Sequence, residues 1–417
     1  MEAKIEAAKQ AKADVEAELL KIPGVNAVDI GYKYVDGKRT DEIAIRVHVK
    51  KKKKTVDPKE KIPEEINGIK TDVIEGTYEP FVVAKKQVIN AEPEADTLRY
   101  RPLKGGVSIG PDRSVGGSIF AGTLGCMVKD NATGKVMMLS NFHVMCIDNT
   151  WHVGDQLDQP SLIDTGTHAD GVGTLARAVL SNHVDGAIAN INAGITAPAT
   201  IADIGNVNGT ATAVLGAAVR KRGRTTLLTY GFIDGLSGTV NINYGGAIGT
   251  RTLQDQITIR PDTTRNPMFS DHGDSGSAIV DSANNVIALL FAGSTTNTIA
   301  NPIAFVEAEL NVKVAKYLQV VVPKARFDTK AIFKEVKHEK LEKLEIFEKL
   351  FENPIPKLFE NPAPGSPITG GGGGFGDGES SSLEQRIAGL EYNLATLTSF
   401  IGEALRPDLS KGALSNE

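Results

Sequence analysis

Gly273-Asp274-Ser275-Gly276-Ser277 sets a serine between two glycines, where the backbone can turn tightly and present the amides of Gly273 and Ser275 toward a single oxygen. Its fifth residue is Ser277, so the stretch is not the G-x-S-x-G turn that joins strand to helix in an α/β-hydrolase sheet. The surrounding residues agree. From Gly105 to about Leu318 the chain is rich in Gly, Val, Ile, Thr and Asn, and its short apolar runs are broken by turn residues. Many short strands of this kind predict an all-β barrel or sandwich.

Attack by a serine hydroxyl needs a base to take its proton and donors for the oxyanion that develops. Val136-Met137-Met138-Leu139-Ser140-Asn141-Phe142-His143-Val144 reads as an apolar strand that delivers a histidine at its end. In Val184-Asp185-Gly186-Ala187-Ile188-Ala189 a carboxylate stands at the edge of an apolar run, where it can orient an imidazole while screened from water. Taken alone, such a histidine is more often structural than catalytic, and Asp185 reads equally well as a turn or cap residue. His183 and Asp271 lie near these stretches and are read as bystanders. A zinc site from His143, His183 and Asp185 lacks an H-E-x-x-H or cysteine cluster, so neither metal nor cofactor is expected.

Leu139-Ser140-Asn141-Phe142-His143-Val144 and Gly273-Asp274-Ser275-Gly276-Ser277 resemble the histidine and serine boxes of the chymotrypsin/trypsin-like serine proteases, and the order His, Asp, Ser is that family's order. Gly122–Val128 resembles the strand before the histidine, Val219–Thr226 the opening hairpin of the second barrel in bacterial members, and Val286–Ser294 the strand lining the substrate cleft. The resemblance covers about half the chain. It implies a mostly β fold, a chymotrypsin-like double β-barrel over residues 105–318. It also implies an endopeptidase acting on protein or peptide through an acyl-enzyme, with His143, Asp185 and Ser275 as triad and the Gly273 and Ser275 amides as oxyanion hole. Phe269, Ser270, His272, Phe291, Ala292 and Gly293 are expected to shape the primary pocket. Phe269 stands six positions before the serine, where trypsin carries an acid, so specificity for Lys or Arg is not supported. Arg113-Ser114-Val115-Gly116-Gly117 resembles a zymogen cleavage site but lies too close to Cys126 for the usual first strands, so it reads as a turn, and Asp274 needs another partner or a ready-made active geometry. The intracellular bacterial and plant members, which lack zymogen cleavage, look nearer. The alternative is a catalytically silent barrel serving as an assembly or chaperone module.

The remaining residues of the 417-residue chain flank this part. Residues 1–95 predict a helix over Glu2–Leu20 and a small α/β module whose alternating strands meet at Asp36-Gly37; this module is a candidate inhibitory cover for the cleft. Lys50–Lys54 reads as the solvated end of an edge strand, without the interleaved aromatics of a nucleic-acid site. Residues 319–378 predict a charged helical stretch, a linker with two Lys-Leu-Phe-Glu-Asn-Pro copies, and a glycine spacer. Over 379–406, Leu383, Ile387, Leu390, Leu394, Leu397 and Ile401 step by four and three, which predicts a coiled-coil helix and a homo-oligomer through residues 383–401. A net charge of −5 draws the protein to neither nucleic acid nor an anionic membrane. The absence of a signal-like or membrane-length apolar segment, with Cys126 and Cys146 as the only cysteines, predicts a cytoplasmic protein without a disulfide framework.

Overall fold

Met137, Met138 and Leu139 illustrate why the middle of the chain folds as paired strands. Met138 belongs to an apolar cluster with Val107, Leu124, Met127 and Val172, whereas Met137 and Leu139 belong to another with Cys126, Val128, Ile188 and Val286. Successive side chains of a strand point to opposite faces. Here both faces are buried, and the strand reads in sequence as one continuous apolar run. Truncating such a side chain to alanine costs about 2–5 kcal/mol.

The computed structural model describes residues 1–53, 55–86 and 95–317, all within the unit Met1–Val322. The expected linker (319–378) and coiled-coil helix (379–406) lie outside the described residues, as does the proposed contact through 383–401. The described part is mostly β. No helix in it is long and apolar enough to cross a membrane.

Two antiparallel circuits carry the candidate residues. In the first, Val107–Pro111 pairs with Ser118–Leu124, which continues past Gly125 into Cys126–Asp130. From there the pairing runs through Val136–Ser140, Asp185–Ile191, Gly171–Leu180 and Gln156–Asp158 back to Val107–Pro111. In the second, Ala218–Gly223 pairs on both sides, with Leu227–Asn243 and with Ala278–Val280. Asn285–Gly293, Thr298–Pro302 and Thr250–Pro261 complete that ring. The circuits meet over the cluster that contains Leu139, Ile188, Ala278, Val286 and Leu289, capped by the helix Ile303–Glu309. A Cβ on Gly125 would lie 2.4 Å from the Gly276 carbonyl oxygen, so only glycine lets the two circuits approach here.

The N-terminal residues extend the second circuit. Helices Glu2–Ala13 and Glu16–Leu19 replace the single helix expected over Glu2–Leu20, with the break at Asp14-Val15. Strands Val25–Val35 and Lys38–Val49 form the expected hairpin, with Asp36 and Gly37 both at positive φ. Val25–Val35 also pairs with Leu227–Asn243, so module and circuit share one sheet. Lys38–Val49 is not an edge strand: Ile69–Glu75 pairs alongside it in parallel, and Lys50–Lys53 lie exposed beyond its end with no open edge to protect. The junction is ionic. Buried Arg46 donates from Nε and Nη2 to Asp29 at 2.7 and 2.6 Å and from Nη1 to Asp234, on the long strand Leu227–Asn243, at 2.5 Å. Burial works to raise the Asp29 carboxyl, but Arg46 and His48 hold it well below the usual carboxylate range.

After Glu75 the chain crosses both circuits. Glu79–Pro80 pairs antiparallel with Asn285–Gly293 of the second, and Val83–Lys86 pairs antiparallel with Ser118–Leu124 of the first. Phe81 and Val82 bridge them.

Candidate active site

His143 lies in the single helical turn Phe142–Met145 that follows strand Val136–Ser140, and Asp185 is the first residue of the adjacent strand Asp185–Ile191. Both are buried. His143 Nδ1 is 2.5 Å from Asp185 Oδ2, and the His143 backbone amide donates to Oδ1 at 3.2 Å. One more group holds the carboxylate and two hold the Asp185 backbone. The Tyr244 hydroxyl donates to Oδ2 at 2.8 Å, the Asp185 amide donates to Asn301 Oδ1 at 3.1 Å, and Asn141 Nδ2 donates to the Asp185 carbonyl at 2.7 Å. Burial, then the charge of Asp185, pushes the Tyr244 hydroxyl well above its ordinary value, so it stays a donor. With a carboxylate facing Nδ1, the network assigns the proton of a neutral imidazole to Nδ1 and leaves Nε2 as an acceptor. Nε2 is buried and has no hydrogen-bond partner among the described residues.

Ser275 lies between Gly273 (φ 99°) and Gly276 (φ 93°), just before strand Ala278–Val280. The turn is locked by Asp274. Its buried carboxylate accepts from the amides of Thr225, Thr226 and Asp271 at 2.9, 3.1 and 3.0 Å and from the Thr226 hydroxyl at 2.6 Å. Lys221 Nζ, also buried, lies 3.2 Å from it. Burial lowers the Lys221 pKa, and Asp274 opposes that shift. This supplies the partner that Asp274 needs in the absence of a new N-terminus. Thr123 joins the two halves: its amide donates to the Ser275 carbonyl at 2.8 Å, its hydroxyl to the Gly273 carbonyl at 2.8 Å, and its carbonyl accepts from Ser140 Oγ at 2.7 Å. The Ser275 hydroxyl does not bond His143. It donates instead to the Phe291 carbonyl at 2.9 Å.

The amides of Gly273 and Ser275 both donate to one oxygen, the carbonyl of Phe81, at 2.6 and 3.2 Å. The Phe81 amide in turn donates to the Phe291 carbonyl at 3.3 Å. Ala292 and Gly293 pair with Pro80 and Glu79. The Phe81 side chain is 4% exposed and shares an apolar cluster with Phe269, Val219 and Ile279. Its ring centroid is 5.0 Å from that of His272, whose Nε2 lies 3.3 Å from Glu79 Oε1. A Cβ on Gly293 would lie 2.4 Å from Phe81 Cε2, so this glycine makes room for the ring. Ser270 is turned to Thr298, with 2.5 Å between the hydroxyl oxygens. Of the expected pocket residues, Phe269, His272, Phe291, Ala292 and Gly293 gather around Glu79–Phe81. Sequence reasoning missed Tyr244, Asn301, Thr123 and Phe81. None of the four carried a local signal.

Of the two bystanders, Asp271 joins the serine turn, its amide donating to Asp274 at 3.0 Å, and the His183 ring lies elsewhere. His183 stacks on Phe305 with ring centroids 4.7 Å apart, near Asp255 and Glu309. Among the described residues, the grouping that could hold a metal is Asp112, Asp158 and His168, which includes none of His143, His183 and Asp185. Val115 and Ser118 bridge around Gly116 and Gly117, both at positive φ, so that stretch is a turn. Cys126 and Cys146 are free, buried and in different clusters, and burial raises both thiols, Cys126 to about 12.

No family model and no curated protein matches the chain. Solved structures similar to it are chymotrypsin/trypsin-like serine proteases. They include a glutamic-acid-specific serine protease, 18% identical over 51% of this chain and 100% of that one, with a TM-score of 0.38. Thermobifida fusca protease A and Cellulomonas bogoriensis chymotrypsin are each 18% identical over 51% of this chain and 98% of theirs, with TM-scores of 0.37 and 0.36. The functional reading therefore rests on the geometry of the site.

Proposed function

We propose that the protein is a serine endopeptidase whose two closed β circuits are the barrels of a chymotrypsin-like fold, with the reacting groups at their junction. The observation that carries this reading is the convergence of the Gly273 and Ser275 amides on one carbonyl oxygen beside Ser275, across from the pair His143–Asp185. Donors aimed at a carbonyl oxygen are what a developing oxyanion requires.

In the reaction, the Ser275 hydroxyl turns about its Cα–Cβ bond from the Phe291 carbonyl toward His143 Nε2. Nε2 takes the hydroxyl proton as Oγ attacks the scissile carbonyl carbon, and the negative oxygen is held by the two amides. The C–N bond breaks, the leaving amine receives the proton from Nε2, and an acyl-Ser275 remains. Water, deprotonated by the same nitrogen, then releases the acid. Asp185, held by Tyr244, keeps the Nδ1 proton in place and balances the imidazolium charge.

The test is labelling by a serine-directed fluorophosphonate, applied to the chain and to its Phe81→Asp variant, in which the Phe81 ring no longer fills the pocket. Labelling that disappears with Ser275→Ala is expected. A second reading, the silent scaffold, draws on the hydrogen bond from Ser275 to Phe291; no labelling of either chain would favour it. Self-association through residues 383–401 is a separate part of the proposal. It fails if deleting Glu379 onward leaves the mass in solution at the same multiple of the chain.

A further inference from the structure

We propose that the chain is its own substrate: Glu79-Pro80-Phe81-Val82-Val83 lies in the cleft as a peptide set for cleavage between Phe81 and Val82, and the pocket beside Ser275 takes a large apolar side chain. This rests on the endopeptidase reading above.

The argument is one of register. A peptide substrate must lie extended, be held on both sides of one bond, and direct that bond's oxygen at the oxyanion donors. Before the bond, Glu79 and Pro80 pair with Gly293 and Ala292, and the Phe81 amide donates to the Phe291 carbonyl. Beyond it, Val83, Ala84 and Lys85 pair with Ala121, Phe120 and Ile119 of the other circuit. Strand addition of this kind gives main-chain affinity, and alternate side chains give selectivity. At the change-over from one circuit to the other stands the Phe81–Val82 peptide, its oxygen on both amides. That carbonyl satisfies both buried amides and sets the bond that follows it beside Ser275. Among the described residues, only this bond has that position.

The side chains agree with the backbone. Phe81 is buried beside Phe269, and bare Gly293 accommodates its ring. No acidic side chain lies at the position of Phe269, so the site is apolar where a basic residue would need a charge. Pro80 has no amide hydrogen to leave unpaired and favours the extended conformation of the residue before it. Glu79 faces His272 at the rim.

The step balances without a cofactor. Ser275 Oγ bonds to the Phe81 carbonyl carbon, the Phe81–Val82 C–N bond breaks, and His143 passes the serine proton to the Val82 nitrogen. One water then converts the acyl-enzyme to the Phe81 carboxylate and restores the serine. Residues 1–81 stay in the shared sheet through Val25–Val35 and the Arg46–Asp234 pair, so the pieces remain together until denatured.

Time-resolved denaturing mass spectrometry of the purified full chain tests this at several protein concentrations. We expect fragments 1–81 and 82–417, formed at a rate independent of concentration and absent in Ser275→Ala. Phe81→Leu should still be cut, whereas Phe81→Asp and Gly293→Val should slow cleavage at this bond by roughly a hundredfold or more, because a charge or a blocked pocket removes the anchoring side chain. Fluorophosphonate labelling of the Phe81→Asp chain is the second measurement. Labelling at Ser275 with a wild-type chain that stays whole, or is cut at another bond, overturns self-cleavage and leaves the endopeptidase reading standing. No labelling and no cleavage in any variant overturns both.

Discussion

On one side of the cleft, Asp185 accepts hydrogen bonds from the His143 ring, the His143 amide and the Tyr244 hydroxyl, and its backbone is tied to Asn141 and Asn301. On the other side, the Ser275 hydroxyl is turned to a backbone carbonyl, and the amides of Gly273 and Ser275 are taken by the Phe81 carbonyl. Both halves are buried, yet only the first is in its working arrangement. The histidine half depends on side-chain networks within and beside one circuit. The serine half depends on what lies in the groove and on which way the Ser275 hydroxyl is turned. On the proposed endopeptidase reading, control of activity belongs to the serine half, where residues 79–83 lie.

The largest effect erases the comparison. Ser275→Ala and His143→Ala each remove a reacting group and should lower kcat/KM on a Tyr-Glu-Pro-Phe nitroanilide by about 10⁴-fold or more. The double variant should lose little beyond either single one. Additive losses would mean that the two halves do not act as a unit.

Next comes the oxyanion side alone. Gly273 has φ 99°, and a Cβ there would lie 2.2 Å from Thr225 Oγ1, so Gly273→Ala must shift the amide that donates to the Phe81 oxygen. Rate should fall by about 10²–10³-fold, the usual cost of losing one such donor. Fluorophosphonate labelling should slow in parallel while the Tyr244–Asp185 contact, read by tyrosine fluorescence, is unchanged. Equal disturbance of both would collapse the distinction between the halves.

How far the sequence could be read follows the same division. Gly273–Ser277 and the run Val136–Val144 are local patterns, and most of their local form was legible: two glycines at positive φ around a serine, and a buried strand before the histidine, although that strand ends at Ser140 and His143 stands in the helical turn beyond it. Tyr244 sits just past a strand end, far along the chain from Asp185, and nothing near it signals that contact. Lys50–Lys54 read as the end of an edge strand because the parallel partner, Ile69–Glu75, arrives by a long connection without a hairpin turn. Phe81 is the extreme case. Its meaning comes from pairing with strands that begin at Ser118 and Asn285, and no local period encodes register between such distant segments.

The anchor of residues 1–86 offers a third test, aimed at what holds the serine half occupied. Arg46→Met leaves Asp29 and Asp234 buried without their partner, which should cost about 3–5 kcal/mol. Hydrogen exchange in Val25–Val35 should rise before exchange in Val136–Ser140 does. Asp29 is held low in the folded chain, so its contribution is fully present above the unfolded carboxylate value of about 3.9 and is lost as pH falls further, toward the folded value. The protection of Val25–Val35 against exchange, relative to the intrinsic rate at each pH, should thus stay flat from about pH 8 to 5. A loss of protection already at pH 6 would assign the anchorage to another group.

The smallest expected effect probes the histidine half by itself. Tyr244→Phe keeps the ring, whose centroid is 5.8 Å from that of His143, and removes only the donor to Asp185 Oδ2. A hydrogen bond to a charged group is worth about 1.5–3 kcal/mol, and part of that loss is recovered because Oδ2 still faces His143 Nδ1. We therefore expect kcat to fall about three- to tenfold with KM nearly unchanged, since Tyr244 positions the carboxylate and touches no substrate. A purely structural role would lower Tm and leave kcat of the folded protein intact. That outcome would mean His143 and Asp185 hold each other without help, and the histidine half would prove still more rigid than its hydrogen bonds suggest.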